Sequence, residues 1–171
     1  MIHLNVGSNL DSKLGNRFEN ISTAISLLIN CKLKINKISS YYETPSYPNK
    51  TMPRFLNVGL SANYVHNEIE LMNKISIIEK KIGRIKSKKN CPRVCDIDII
   101  DFNGLIINKE NLNIPHKMSH LRNFVLYPIL QIDPTWVHPI IKKNVKFLIN
   151  NLNQKSRIEI TRLNKNVNIK L

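Results

Sequence analysis

Apolar positions along the chain change period several times, and each change predicts an element. Ile2, Leu4 and Val6 alternate with polar residues and give way to Gly7-Ser8-Asn9, a short strand running into a turn. Leu14, Phe18, Ile21, Ile25 and Leu28 recur at helical spacing, which predicts a helix capped by Asp11 or Ser12 and ended by Asn30. From Leu33 to Tyr42 the pattern is strand-like, and it breaks at a proline-rich loop, Thr44-Pro45-Ser46-Tyr47-Pro48, with Pro53 beyond. Phe55 to Val65 alternates again, with Val58, Leu60, Ala62 and Tyr64 on one side and Asn57, Gly59, Ser61 and Asn63 on the other. That is the pattern of a half-buried antiparallel strand.

Asn67, with Glu70 three residues on, opens a second helix whose stripe is Leu71, Ile75, Ile78 and Ile82, and Gly83 after Lys80 and Lys81 closes it. Arg84 to Arg93 reads as a basic loop, Val94 to Phe102 as a strand, and Asn103-Gly104 as a hairpin turn. Phe124 to Gln131 and Val145 to Leu152 read as helices, and Ile158 with Ile160 as a last strand. The strands around 33–65 and 94–114 look like hairpin neighbours rather than parallel β-α-β units, so the expected class is α+β, a mostly antiparallel sheet flanked by helices.

Length adds that this is one domain: 171 residues with 42% hydrophobic content bury a core without a disulfide or metal staple. Apolar runs such as Phe124 to Ile132 fall far below the ~18–20 residues of a membrane span, and Met1 to Asn9 is not a secretory signal. A cytoplasmic monomer without a membrane partner is the expectation. Cys31, Cys91 and Cys95 are an odd number without a C-x-x-C pair, which suits a reducing compartment. The net charge of +14 suits either nucleic acid or a polyanionic small molecule, or reflects a compositional bias towards Lys, Asn and Ile. The lysines are spread along most of the chain without an arginine-rich run, and no nucleic-acid partner is expected.

The sharpest local signal is Pro92-Arg93-Val94-Cys95-Asp96-Ile97-Asp98-Ile99-Ile100. Residues two apart in a strand share a face with about 6.6–6.8 Å of rise between them, so Asp96 and Asp98 project together while Ile97 and Ile99 enter the other face. Asp101 has the opposite parity and is set aside. Paired carboxylates repel unless a cation lies between them, and hard oxygen ligands suit Mg²⁺. The alternative is a solvated acidic pair on an exposed strand. Arg84, Lys86, Lys88, Lys89 and Arg93 precede the pair, and His116 and Arg122 follow it. Cations around a metal-bound carboxylate pair are what phosphoryl transfer from a nucleotide needs, although the chain has neither a Walker-A loop nor a G-x-G-x-x-G loop.

Gly7-Ser8-Asn9, Tyr42-Glu43-Thr44-Pro45, Phe55-Leu56-Asn57, Gly83-Arg84, Pro92-Arg93-x-x-Asp96-Ile97-Asp98-Ile99, and Ile114-Pro115-His116 with Arg122-x-Phe124 stand in order along the chain. In order and spacing they resemble the 6-hydroxymethyl-7,8-dihydropterin pyrophosphokinase family, from Gly7 to about Pro139. Residues 140–171 match only vaguely. The resemblance implies a ferredoxin-like fold and Mg²⁺-dependent transfer of the terminal pyrophosphoryl group of ATP to the pterin hydroxymethyl oxygen in folate biosynthesis, with AMP released and no covalent intermediate. It implies two Mg²⁺ on Asp96 and Asp98, and catalytic roles for Arg84, Arg93, Asp96 and Asp98. ATP contacts are implied for Glu79, Arg84, Lys86, Arg93, Ile99, His116 and Arg122, and pterin contacts for Asn9, Thr44, Pro45, Phe55, Asn57 and Phe124. A flat heterocycle needs aromatic faces and a donor–acceptor edge, and Phe55 and Asn57 share a strand face that can offer both.

The chain departs from the family at Asn90-Cys91, where an aromatic residue and a glycine are usual, and the loop from Arg84 to Pro92 is about one residue shorter by alignment. Altered closure of that loop over the substrates is the expected consequence. Two other readings compete. Cys91-x-x-x-Cys95 and His116-x-x-x-His120 have nearly the spacing of a C₂H₂ zinc site, with too long a gap between the pairs for a standard finger. The same fold without turnover would leave a binding protein.

Overall fold

The computed structural model describes residues 1–47, 49–85 and 91–169. The chain forms β1 (Ile2–Ser8), α1 (Arg17–Asn30), β2 (Lys34–Ile38), β3 (Tyr42–Thr44), β4 (Phe55–Asn63), α2 (Glu68–Ile82), β5 (Asp96–Phe102), β6 (Ile107–Lys109) and β7 (Leu112–Ile114). After a short 3-10 turn at Ser119–Leu121 come α3 (Asn123–Ile132), α4 (Val145–Asn150), α5 (Gln154–Ile158) and β8 (Thr161–Arg162). The main sheet runs β5-β1-β4-β3-β8, with β2 also on β4 and every pairing antiparallel. A β-α-β-β-α-β order with the first strand central is the α+β ferredoxin-like arrangement.

One sheet face carries Ile2, Leu4, Val6, Val58, Leu60, Ile97 and Ile99, and packs on the stripes of α1 (Ile21, Ala24, Ile25, Leu28) and α2 (Leu71, Ile75, Ile78, Ile82). Asn67 accepts the Glu70 N–H at 2.9 Å to start α2, and Gly83 ends it at φ 110°, both as the sequence predicts. The opposite face is polar in sequence, yet Asn57, Gly59 and Ser61 are buried there because α3 lies across β4. β4 is therefore covered on both faces rather than half-buried. Gly59 is where the helix comes closest, since a Cβ there would sit 2.6 Å from Pro128 Cβ.

Several boundaries differ from the sequence pattern. The first helix starts at Arg17 rather than near Leu14, because Asn16 accepts from the N–H groups of Phe18 and Glu19 while Glu19 reaches back to the Asn16 N–H at 2.8 Å. Leu14 is left outside the helix and exposed. Gly7 and Ser8 continue β1 instead of turning, and β5 begins at Asp96. The Asn103-Gly104 turn forms with φ of 54° and 73°, but the chain leaving it pairs into the separate β6–β7 ribbon and not back onto β5. Ile158 and Ile160 do not make a last strand: Asn153 caps α5 across Gln154–Ile158, and β8 follows at Thr161–Arg162. Among the described residues no helix is long and apolar enough to cross a membrane.

Candidate active site

β1 sets the frame. Its Gly7 lies opposite Asp96 on one side and Asn57 on the other, and its Asn5 opposite Asp98 and Gly59, so strands distant in sequence form two rows on one face. Ile97 and Ile99 enter the core on the other side, as the strand parity requires. A Cβ at Gly7 would come within 3.0 Å of Asn57 Oδ1, so a side chain there would crowd the Asn57 amide. Asn5 Nδ2 donates to Asn57 Oδ1 at 3.3 Å, which leaves Asn5 Oδ1 and Asn57 Nδ2 buried without partners among the described residues. Buried polar atoms ordinarily have partners. An unpaired acceptor beside an unpaired donor suits a ligand edge that presents the complement.

These residues floor a cavity of about 720 Å³, walled by Phe55 and Phe124 and bordered by Thr44 and Pro45. Asn9 also lines it, but its amide is engaged in holding loops together. It donates to Ser46 Oγ and to the Pro53 carbonyl, and accepts the Arg93 N–H at 2.7 Å. A second cavity of about 320 Å³ lies between β5, α2 and the β6–β7 ribbon and includes Ile99, Leu112 and His116. Asp98 lines both cavities.

Asp96 takes Arg84 Nη1 at 2.7 Å on one oxygen and Arg93 Nη1 at 2.5 Å on the other. Arg84 also pairs with Glu79, whose carboxylate accepts the Ile97 N–H at 2.8 Å. Burial raises the Glu79 pKa above its ordinary range, against the pull of Arg84. Among the described residues Asp98 has a single, long ion pair, 3.7 Å to Arg122 Nη1. Burial first, and the Asp96 charge second, push its carboxyl up to about 7 despite Arg122. Burial and the Arg122 charge push His116 down to about 4, so the ring is neutral at pH 7. His116 Nδ1 accepts the Met118 N–H at 3.2 Å, which puts the neutral ring's proton on Nε2. That N–H and Arg122 Nη1 then converge, 3.4 Å apart, as two donors with no acceptor between them. An anionic oxygen would satisfy both.

Asn9, Thr44, Pro45, Phe55, Asn57, Phe124, Arg93, Asp96, Asp98 and Arg122 all line the first cavity, and Ile99 and His116 the second. Glu79 and Arg84 are not among the described lining of either cavity; Arg84, just past the Gly83 cap of α2, reaches Asp96, and Glu79 on α2 holds Arg84. Lys86, Lys88, Lys89 and Asn90 lie outside the described residues. Asn5, Asn123, Ser156 and Glu159 line the first cavity without having been singled out, and so does Gly7, which the sequence marks in a motif but gives no contact. Asn5 carried a signal, a polar position facing away from Ile2, Leu4 and Val6, but only the strand register ties it to Asn57.

Asp101 is the clearest departure. A register shift in the β1–β5 ladder sets it opposite His3, on the same face as Asp98 rather than the other. It sits far along the strand, accepting the Trp136 indole N–H at 2.8 Å and the Gly104 N–H at 2.9 Å, as structural support. The zinc spacing fails on placement: Cys95 is fully buried in the main core, where burial raises its thiol pKa. Among the described residues no three His, Cys, Asp or Glu side chains gather to hold a metal. Asp96 and Asp98 fit a different kind of site, in which two carboxylates supply part of a Mg²⁺ shell and phosphate and water oxygens the rest.

A ferredoxin-like sheet thus sets an aromatic, amide-floored cavity beside paired aspartates ringed by arginines. The family model for 7,8-dihydro-6-hydroxymethylpterin-pyrophosphokinase (HPPK) matches residues 3–134, and the chain belongs to that family. It is 37% identical over 145 residues, 85% of this chain and 88% of the relative, to the 2-amino-4-hydroxy-6-hydroxymethyldihydropteridine pyrophosphokinase of Aquifex aeolicus. The folic acid synthesis protein FOL1 of Dictyostelium discoideum is 35% identical over 82% of this chain, which spans only 21% of that protein. In structure the chain is similar to the Plasmodium falciparum HPPK-DHPS protein, with TM-score 0.71 and 16% identity over 94% of this chain and 47% of the other. That likeness shows the shared fold.

Proposed function

We propose that the protein transfers the terminal diphosphate of ATP to the hydroxymethyl oxygen of 6-hydroxymethyl-7,8-dihydropterin, in folate biosynthesis, with Mg²⁺. The observation that carries the reading is Asp98, a half-buried carboxylate shared by an aromatic cavity and a second cavity bordered by His116 and Lys117. The acceptor's oxygen forms a bond to the β-phosphorus, the bond from that phosphorus to the α,β-bridging oxygen breaks, the hydroxyl proton is lost, and AMP leaves. No enzyme nucleophile is needed.

In this reading Phe55 and Phe124 flank the pterin ring, and Asn57 Nδ2 and Asn5 Oδ1 gain the partners they lack. Ile99 and Leu112 border the nucleoside, while His116 and Arg122 donate to one phosphate oxygen. Mg²⁺ held by Asp96 and Asp98 would neutralise phosphate charge and align the reacting groups. Arg84 and Arg93, which pair with Asp96, turn their N–H donors to phosphate oxygens when ATP binds. Thus the same arginines keep the acidic pair tolerable before substrate arrives and stabilise the leaving charge afterwards.

The test is AMP formation from ATP and Mg²⁺ with and without the pterin. Pterin-dependent AMP is expected. AMP formed at the same rate without pterin, or none from folded protein, would overturn the assignment.

A further inference from the structure

The last segment of the chain lies beyond the family match at residues 3–134, yet it closes one side of the first cavity. Ser156 and Glu159 line that cavity. Three sets of bonds hold the segment in place. Asn123 Nδ2, at the start of α3, donates to the Ser156 carbonyl at 2.6 Å. β8 pairs with β3 through Tyr42 opposite Arg162 and Glu43 opposite Thr161, and the Leu163 N–H donates to the Tyr41 carbonyl at 2.9 Å. Further on, Lys165 covers the Phe18 ring at 3.8 Å, and Val167 and Ile169 pack on the main core.

Glu159 is the point at which this anchored segment grips the β3–β4 connection. Its carboxylate pairs with Lys50, and its carbonyl accepts from Arg54 Nη2 at 3.5 Å. Arg54 is itself tied to Glu43 at 3.1 Å, and Glu43 to Arg17 at 3.3 Å. The grip matters because the same connection contributes Ser46, Asn49 and Met52 to the cavity wall. An anchored strap thus holds a wall that has little regular structure of its own.

We infer that α5 and β8 form a strap in which Glu159 is a positioning residue, fixing the β3–β4 connection through Lys50 and thereby setting affinity for the pterin. The affinity claim rests on the assignment of this cavity to the pterin; the restraint itself does not. Lys50 lines neither cavity, so ATP affinity and turnover at saturation are independent of it.

The test uses the full chain with Glu159→Lys, Lys50→Glu and the charge swap combining both. Kinetics are read on Lys50→Glu, which lies outside both cavities: reversing an exposed attraction is expected to raise the pterin KM about fivefold, with the ATP KM and kcat unchanged and the swap returning the pterin KM towards the starting value. Amide hydrogen exchange in peptides covering the β3–β4 connection is expected to quicken in Glu159→Lys and slow again in the swap. Unchanged exchange in Glu159→Lys overturns the strap, whatever the activity does. Quickened exchange with an unchanged pterin KM overturns its role in affinity. Absence of turnover in the unaltered chain would count against the proposed reaction, and exchange would still decide the restraint.

Discussion

Asp98 is costly to keep ionised, because burial holds its pKa at about 7, well above that of an exposed carboxyl. The folded state therefore holds a proton that the unfolded state has lost between about pH 4 and 7, and the resulting stability disappears as pH rises through that window. Asp98→Asn is expected to melt higher than the parent at pH 8 without Mg²⁺ and about equally at pH 4, measured by thermal unfolding. The same change should lower turnover by at least about a hundredfold, the order seen when one preorganised electrostatic stabiliser is removed. A variant as stable as expected but fully active would contradict the role given to this carboxylate. Residue parity was enough to read the Asp96–Asp98 pair and the shared face of Phe55 and Asn57, since alternation is local. It could not reach Asp101, whose face is set by a bulge that only pairing with β1 reveals, nor the unpaired amide groups of Asn5 and Asn57.

The polar face of β4 decides how α3, and with it Phe124, meets the sheet. Gly59 lets Pro128 approach, so Gly59→Ala must push the helix away or bend the strand. Overpacking of this kind costs typically about 1–3 kcal/mol, and urea unfolding should show a lower midpoint. An unaltered midpoint would mean that the contact is not limiting. Alternation in β4 was plain in the sequence, but alternation says which residues share a face and not what covers it. Both helix stripes and the Asn67 and Gly83 caps could be read because those signals lie within a turn or two of each other. The α1 start was misplaced by Leu14, whose spacing fits the stripe while Gly15 at φ 135° and the Asn16–Glu19 box put it outside. The α5–β8 segment carried too little apolar periodicity to be read, since anchoring by Asn123 and β3 depends on contacts distant in sequence.

Topology joins the separate motifs into one site. Placing β1 between β4 and β5 carries Gly7 between Asn57 and Asp96, residues that the chain separates by α2 and a loop. The charge of +14 then acts unequally on the two substrates. ATP is polyanionic and the pterin uncharged, so raising ionic strength beyond about 0.15 M, where screening already acts within about 8 Å, should raise the ATP KM while leaving the pterin KM nearly constant. Parallel rises in both would point to a general effect of salt on the fold.

Transfer of an intact diphosphate is tested most directly by following a mixture of ATP, Mg²⁺, 6-hydroxymethyl-7,8-dihydropterin and the protein by ³¹P NMR. The ATP signals should be replaced by those of AMP together with two coupled resonances of a pterin diphosphate in equal amount. ADP with a pterin monophosphate, or AMP with free pyrophosphate and unmodified pterin, would contradict diphosphate transfer to the hydroxymethyl oxygen.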